Sequence, residues 1–344
     1  MASPDEYVDQ EYGSARKVVE IAADAVSKGV HSGNILPNAP MTGSYYHRNV
    51  DDSILLGDNT ITAVAATTIA EFADFLTLPS DHILYKIQRR SHSEQTIPDE
   101  ADKISQYTTE RGILFHKFVS SKIEYDEIGP IARQKFSMDQ NEWPTFWRAV
   151  ARYHNAPQVN PPGFYTDHRC FIADLSKLLK NAQDPEDAVI QGIKHEIKIA
   201  KEIFKQSWGQ EEGYQAPTEV PFVSEISGCR FGGRIDRISV INESKTLPEG
   251  VFAVDLKFTE SIRPEHIFQV EAYRRVFESH ASIKSPIEGA IVRIDIFEGD
   301  AEILTTLDDK WPSDAWSLFH RTYDRWYDKF DTADLHLQRS SEGM

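Results

Sequence analysis

The sequence of 344 residues has few cysteines and no long apolar run. Its two cysteines, Cys170 and Cys229, cannot build a disulfide framework, a four-cysteine zinc site or a four-cysteine iron–sulfur cluster, and they fit a reducing compartment. The best apolar stretch, residues 61–70, is shorter than the roughly 18 to 20 residues that cross a bilayer. The acidic N-terminus resembles neither a secretory signal nor a basic transit peptide. We therefore expect a soluble, cytoplasmic protein with no membrane partner and no iron–sulfur cluster.

Basic residues are also scarce. The 37 lysines and arginines are outnumbered by 54 aspartates and glutamates, which gives a formal charge of −17. This balance argues only weakly against a polyanion binder, because affinity for phosphate depends on local patches and not on the total charge. An acid-rich surface is also typical of salt-adapted proteins. Hydrophobic residues at 40 % and aromatic residues at 11 % are enough for a packed core, so a wholly disordered chain is excluded.

The first part of the chain divides into an extension and the start of a domain. Residues 1–58 combine a helical stretch at 15–27 with a segment rich in Gly, Asn and Pro, and we interpret them as a partly flexible N-terminal extension. Residues 59–344 are predicted to form one domain. Apolar spacings of three and four predict a helix within residues 60–90, capped by Thr67 or Thr68, and an amphipathic helix at 109–123.

Residues 124–184 are irregular, and we interpret them as an insertion in this domain. Aromatic and basic residues alternate in it, so the segment could stack unpaired bases, although a small hydrophobic core is the simpler interpretation. These residues are Trp143, Phe146, Trp147, Arg148, Tyr153, His154, Tyr165 and Arg169.

The second half of the chain alternates strands and helices. β-Branched and aromatic residues predict strands at 219–223, 229–240, 251–258, 290–297 and about 301–305. Helices are predicted at 188–208, from Pro264 onwards and at 313–330. This order predicts an α/β fold with a central mixed β-sheet flanked by helices, to which the helical extension and the insertion are added.

Charged residues interrupt two of the apolar strands. Asp255 and Lys257 lie two apart in VFAVDLKF, so they project to one face of the strand while Leu256 points to the other. Asp236 interrupts FGGRIDRISV in the same way. The acid-x-Lys spacing occurs four times in this chain, and the other instances, such as Glu196 with Lys198, lie in charged or turn-like surroundings where a solvated ion pair is the ordinary interpretation.

Burying the charges of the apolar strands without partners would cost several kcal/mol, so they need an ion or a polar cleft. Two carboxylates on adjacent strands suggest a site for Mg²⁺ or Mn²⁺, which prefer oxygen ligands. Gly232 and Gly233, which precede Asp236, would allow the strand to bend or another backbone to approach closely.

Two helices carry polar residues that could complete this site. Gly112 and His116 are four apart in ERGILFH and share a helix face, where a glycine usually marks close packing. Taken alone, His116 is more simply a hydrogen-bonded histidine at the edge of the core. Gln269 and Tyr273 are also four apart. Both can donate to phosphate, although a polar stripe is the simpler interpretation.

Taken in order, these motifs resemble the signature of the PD-(D/E)XK nucleases, in particular the RecB-like branch. That branch includes CRISPR adaptation nucleases and the mitochondrial genome-maintenance exonuclease. The resemblance covers about residues 61–300 and implies a restriction-endonuclease-like core. Ile235 replaces the proline of the PD element, and the cysteines of the iron–sulfur members have no counterpart in this sequence.

The resemblance also implies a role for each residue of the signature. The metal ligands would be His116, Asp236, Asp255 and the carbonyl of Leu256. Asp236, Asp255 and Lys257 would be the catalytic residues, and Lys257 would position the attacking water or stabilise developing charge. In addition, Gln269 and Tyr273 would bind the substrate or support the site, and Glu219 would be a supporting acid behind the ligands.

The implied activity is the metal-dependent hydrolysis of DNA phosphodiester bonds. The enzyme would be an end-dependent exonuclease of repair, recombination or replication, acting on DNA that is single-stranded or has free ends. The sequence has no G-x-x-x-x-G-K-[ST] motif, so a helicase or recombination protein would be a separate chain. One alternative is a non-catalytic DNA-binding or recombination accessory subunit on the same fold, which the complete His/Asp/Asp/Lys set disfavours. The other is an acidic α/β scaffold without DNA affinity.

Overall fold

Strand-forming residues recur along the chain and assemble into one sheet in the structure, a computed structural model. It describes residues 19–20, 22–23, 31–33, 45–48, 61–71, 98–136, 142–144, 146, 182–208, 210–211, 217–243, 247–258, 261–278, 286–296 and 299–330. The strands within these ranges are β1 (His31–Gly33), β2 (Tyr45–Arg48), β3 (Ile61–Ala65), β4 (Gln210–Glu211), β5 (Thr218–Ile226), β6 (Cys229–Glu243), β7 (Gly250–Lys257), β8 (Glu288–Asp295) and β9 (Asp300–Thr305). The helices are α1 (Ala66–Glu71), α2 (Pro98–Val119), α3 (Ile128–Phe136), α4 (Pro185–Trp208), α5 (Pro264–Glu278) and α6 (Ala315–Phe330), with a 3-10 turn at Tyr125–Glu127 before α3.

The described strands form a mixed sheet in the order β1-β2-β3-β6-β7-β8-β9, with β4 and β5 also paired to β6. The β3–β6 and β7–β8 pairs are parallel, and the other pairs are antiparallel. Phe231 of β6 pairs with both β3 and β5, and Arg237 of β6 pairs with both β5 and β7. Strands β3 and β7 therefore share one edge of β6, and residues 233–236 lie between them on that edge.

Helices cover both faces of this sheet. Alternate residues of β7 point to opposite sides: Val251 and Ala253 pack with helices α1, α5 and α6, whereas Phe252 and Val254 pack with α2, α3 and α4. This alternation follows from the two-residue period of a strand that is buried on both faces. The fold is therefore α/β, with a mixed sheet between two helical layers, as the sequence predicts. None of the helices in the described ranges combines the length and apolarity needed to cross a membrane.

The predicted elements of the second half agree with the structure, but the first half differs at three points. Residues 61–65 form β3, and helix α1 begins at Ala66, so Thr67 and Thr68 lie inside the first turn and neither is its N-cap. Part of the expected N-terminal extension belongs to the sheet, because β1 pairs with β2 and β2 pairs with β3. Helix α2 begins at Pro98, well before the predicted start.

The expected insertion is partly regular and partly buried. Residues 125–136 form the 3-10 turn and helix α3. Trp143 and Phe146 are buried against Phe136 of α3, with ring centroids 6.4 Å and 5.2 Å from that ring. The base-stacking hypothesis is therefore wrong for Trp143 and Phe146, which belong to a hydrophobic core. The other aromatic and basic residues of that set lie outside the described residues.

The two predicted close-packing glycines behave differently. A Cβ atom built on Gly233 would lie 2.7 Å from the Phe222 ring and 3.2 Å from Tyr273, so this position of β6 has no room for a side chain. By contrast, a Cβ atom on Gly112 would meet nothing within 4 Å. Gly233 is therefore closely packed, but against side-chain rings and not against the backbone that the sequence led us to expect, and the expectation of close packing is wrong at Gly112.

These two glycines give a matched test of the fold. Replacing Gly112 with Ala should raise the free energy of unfolding by about 0.5 to 1 kcal/mol, because alanine lowers the conformational entropy cost of the helix. Replacing Gly233 with Ala should lower it by about 1 to 3 kcal/mol, because the buried Phe222 ring must move. Urea unfolding of both variants measures the difference. Equal effects at the two positions would contradict the packing described here.

Candidate metal centre

Three acidic residues form a row across three adjacent strands. The pairs Thr218 with Arg237 and Val220 with Ile235 place Glu219 of β5 beside Asp236 of β6. On the other edge of β6, the last pair with β7 joins Arg237 to Val254, so Asp236 and Asp255 are the next residues along. Opposite residues of an antiparallel pair project to the same face of a sheet. This register makes Glu219, Asp236 and Asp255 neighbours on three adjacent strands.

The carboxylate of Asp236 replaces a backbone acceptor at this place. Strand β7 separates from β6 after Val254, and the backbone N–H of Leu256 donates to Oδ2 of Asp236 at 2.7 Å. A buried N–H without an acceptor would be costly, so this bond stabilises the separated strand. The second oxygen of Asp236, Oδ1, lies 3.4 Å from Nδ1 of His116. Asp236 therefore connects β7 to helix α2.

Helix α2 presents His116 at the edge of its apolar face. Its neighbours Leu114, Phe115 and Phe118 are buried in the core, whereas the side chain of His116 remains one quarter exposed. Burial alone would lower the pKa of His116, but the facing carboxylate of Asp236 outweighs it, and the pKa is raised. Burial would likewise raise the pKa of Asp236, yet His116, Lys257 and the Leu256 N–H hold that pKa below its ordinary value.

Glu219 completes a group with metal-ligand spacing. One ligand atom from each of His116, Glu219 and Asp236 lies within 4.8 Å of the others. The backbone of Glu219 has φ 54°, a left-handed conformation that costs a residue other than glycine about 1 to 3 kcal/mol. Sequence analysis assigns Glu219 only a supporting role, whereas the geometry places it directly beside His116 and Asp236.

Asp255 begins a chain of polar contacts that leads to helix α5. Nζ of Lys257 donates to Oδ1 of Asp255 at 3.0 Å and to Oε1 of Gln269 at 3.1 Å. Nε2 of Gln269 in turn donates to the hydroxyl of Tyr273. Tyr273 is buried, with its ring edge-to-face on Phe222 at 5.5 Å. Because Gln269 and Tyr273 are buried and bonded to each other, the geometry favours a supporting role over direct substrate contact for Tyr273.

The carboxyl group of Asp255 is also strongly perturbed. It is only 1 % exposed, and burial together with the nearby Asp236 carboxylate raises its pKa to about 6, although Lys257 opposes this rise. Nζ of Lys257 lies 2.9 Å from Oδ2 and 3.0 Å from Oδ1, so the ammonium group pairs with both oxygens of this buried carboxylate.

Sequence analysis missed a buried ion pair beside this centre. Glu196 of α4 is completely buried, accepting from Nη1 of Arg111 at 2.8 Å and from the hydroxyl of Tyr107 at 2.6 Å. Arg111 also donates from Nη2 to the carbonyl of Phe258, the residue after Lys257, at 3.4 Å. The assignment of Glu196 to charged, solvated surroundings is therefore wrong. Its partner is 85 residues away, and no local pattern could have shown it.

A second missed residue is His266 in the first turn of α5. It is buried, and its Nδ1 accepts from the backbone N–H of Arg263 at 3.1 Å. Burial and the positive charges of Lys257 and Arg263 hold the pKa of His266 well below its ordinary value, so this imidazole is neutral at pH 7. Its spacing to Gln269, three residues along the same helix, is the only local signal for it.

The centre combines hard oxygen ligands, an imidazole and a held ammonium group. Comparison of the chain with protein-family models and with curated proteins gives no match. Its chemistry therefore follows from the residues themselves. Glu219, Asp236 and His116 have the spacing to hold a divalent cation, and Lys257, paired with Asp255, can donate a proton or hydrogen bond beside them.

The raised pKa of Asp255 predicts how the free energy of unfolding depends on pH when a chelator keeps the chain free of metal ions. In the folded chain the carboxyl group takes a proton more readily than in the unfolded chain, so stability falls as pH rises from about 4 to about 6. The difference between 3.8 and about 6 corresponds to at most about 3 kcal/mol. The variant Asp255→Asn has no carboxyl group to titrate at this position. The difference between its free energy of unfolding and that of the natural chain should therefore increase in its favour from about pH 4 to about pH 6 and stay constant at higher pH. Chemical unfolding at several pH values measures the difference, and parallel pH profiles would contradict the burial of this charge.

Proposed function

We propose that this protein is a metal-dependent nuclease that hydrolyses DNA phosphodiester bonds on a restriction-endonuclease-like core. One observation carries the proposal. At the point where β7 leaves β6, Asp236 bonds both the Leu256 N–H and, within 3.4 Å, the His116 ring, while Asp255 pairs with Lys257 on the adjacent strand. These are the residues that resemble the RecB-like signature, and they come together from three separate segments of the chain.

The residues present fit a divalent cation. The ligand atoms of His116, Glu219 and Asp236 converge within 4.8 Å, and the buried carboxylate of Asp255 lies on the adjacent strand, paired with Lys257. We assign His116, Asp236 and Asp255 as ligands of Mg²⁺ or Mn²⁺, together with the Leu256 carbonyl that the resemblance implies, and we add Glu219 to this set. A bound cation would acidify a water molecule and stabilise negative charge on the reacting phosphate.

Lys257 acts beside these ligands. Its ammonium group is held by Asp255 and Gln269, and Gln269 is held in turn by Tyr273, so its position is fixed before any substrate arrives. A pre-positioned ammonium group can orient the attacking water or donate to a phosphate oxygen as charge develops. Asp236, Asp255 and Lys257 are thus the proposed catalytic residues, with Gln269 and Tyr273 as positioning residues for Lys257.

The buried charge of Asp255 favours an enzyme over an accessory subunit. A hydrophobic pair of similar size is often as stable as a buried ion pair, or more stable. Burying this carboxylate and its lysine therefore brings no gain in stability, and a role in catalysis accounts for their presence. The preference for free DNA ends, the role in repair, recombination or replication, and the separate helicase or recombination partner rest on the resemblance alone. A cytoplasmic site of action belongs to the same proposal.

The activity can be tested with end-labelled linear DNA and circular DNA, each as single and double strands. The natural chain with Mg²⁺ or Mn²⁺ should degrade linear DNA and spare circles, and EDTA should abolish the reaction. Lys257→Ala should reduce the rate by about a hundredfold or more, because a positioned charge at the reacting phosphate is lost. Arg133→Gln is the matched control, since Arg133 pairs with Glu186 on the outer helices α3 and α4. Metal-dependent DNA binding without cleavage would identify the accessory subunit instead.

Metal binding can be tested without any substrate. At about a hundred times its dissociation constant, Mn²⁺ should stabilise the natural chain by about 3 kcal/mol in thermal unfolding. Glu219→Gln and His116→Ala should each weaken the apparent affinity by about ten- to a hundredfold, because each removes one proposed ligand. A full metal-induced shift in Glu219→Gln would exclude Glu219 from the ligand set, whereas no shift in the natural chain would argue against the metal centre.

A further inference from the structure

Two basic side chains converge on one oxygen of Glu219. Nη1 of Arg234 lies 3.0 Å from Oε2 of Glu219, and Nζ of Lys122 lies 3.6 Å from the same oxygen. The Glu219 side chain is 14 % exposed, but Arg234 and Lys122 are 42 % and 47 % exposed. The carboxylate therefore faces the metal ligands on its inner side, and the two cations border it towards solvent.

Lys122 is held by the end of helix α2. Ser121 has φ 56° and its N–H donates to the carbonyl of Phe118, while the N–H of Lys122 donates to the carbonyl of Lys117. This pair of bonds is the Schellman motif that terminates helices. The hydroxyl of Ser120 also donates to the carbonyl of His116 at 2.7 Å. The backbone of Lys122 is thus fixed to the same helical turn that carries His116.

Arg234 is held by the central strand of the sheet. It lies on β6, two residues before Asp236, and its backbone pairs with Pro221 of β5. The spacing of two places the Arg234 and Asp236 side chains on one face of the strand. Both basic groups therefore have rigid backbones at fixed positions beside the ligands.

A nucleic-acid substrate needs local positive charge on this chain, because the formal net charge of −17 repels a polyanion at long range. When Glu219 serves as a metal ligand, the cation offsets part of the negative charge of its carboxylate. That carboxylate then neutralises less of the positive charge of Arg234 and Lys122. Their exposed groups are then available to another anion at the entrance of the centre.

From this geometry we infer that Lys122 and Arg234 form a phosphate-binding pair for a backbone phosphate that neighbours the reacting one. This inference rests on the proposed function, since it requires a nucleic acid in the same centre. Arginine can bind phosphate through two parallel hydrogen bonds, and lysine acts as a point charge, so the pair combines orientation with attraction. The pair makes no base contact and so adds affinity without adding sequence preference.

The pair can be tested by DNA binding in the absence of cleavage. A short fluorescein-labelled DNA duplex, with Ca²⁺ in place of Mg²⁺, is titrated with the full chain, and the dissociation constant is followed between about 50 and 200 mM salt. Affinity falls as salt rises, so the slope of log affinity against log salt is negative. Lys122→Gln and Arg234→Gln should each reduce the magnitude of this slope by about 1, and the double variant by about 2. Each single variant should weaken binding by about three- to tenfold, and Arg234→Lys should recover part of this loss.

Arg133→Gln provides the matched control, because Arg133 is 53 % exposed and paired with Glu186 in a comparable way but lies on the outer helix α3. Its salt slope should equal that of the natural chain. The Mn²⁺-induced thermal shift should persist in Lys122→Gln and Arg234→Gln, since neither residue is a proposed ligand. If the slope is unchanged in both variants while the natural chain cleaves DNA, the phosphate pair is wrong and the nuclease proposal stands. If the natural chain shows neither cleavage nor metal binding, the proposed function fails, and the slopes alone decide whether the pair binds phosphate.

Discussion

The hydrogen bond from the Leu256 N–H to the Asp236 carboxylate is the interaction on which the centre depends. A continuous ladder between β6 and β7 would close the sheet at this point, with Asp236 and Asp255 directly opposite each other. Instead the strands separate, and a side-chain oxygen satisfies the first N–H that loses its backbone partner. One oxygen of Asp236 thus stabilises the fold, while the other remains available to His116 and to a cation. The opening lies in the middle of the sheet, where β3 and β7 leave a short part of β6 without a neighbour from the described strands on their shared edge.

The proposed ligands come from helix α2 and from the sheet, so contacts between α2, its own layer and the sheet must fix their relative positions. The buried pair of Arg111 and Glu196 joins α2 to α4, and Arg111 also reaches the carbonyl of Phe258 just beyond Lys257. The centroid of the Phe258 ring lies 4.3 Å from the guanidinium carbon of Arg111 and 5.1 Å from the centroid of the Phe115 ring. Helix α2 and the end of β7 therefore share one anchor. Burying an ion pair costs desolvation free energy, but its directional hydrogen bonds fix the relative positions of α2 and α4 more firmly than apolar contacts would.

Much of the second half of the fold is readable from the sequence, and so is the choice of several site residues. The strands around Asp236 and Asp255 are rich in β-branched and aromatic residues, and a charge within such a strand is conspicuous because its burial is costly. The remainder depends on distant pairing. Glu196 looks like an ordinary helix acid until Arg111 is placed beside it, and Glu219 gains its importance from a left-handed backbone that no propensity predicts. Residues 61–65 carry a strand pattern too short to distinguish from the helix that follows them.

The position of β3 has a consequence for how the chain reaches its native state. Val64 pairs with Phe231, so this contact joins segments separated by about half of the chain. Strands β1 and β2 extend the sheet through β3, which means that these three strands have no docking site on the rest of the sheet until β6 has been synthesised. Closing so long a loop carries a large entropic cost and slows folding. During synthesis the N-terminal strands are therefore exposed as unpaired edges for longer than any other part of the sheet, and this is the interval in which a chaperone would be most useful.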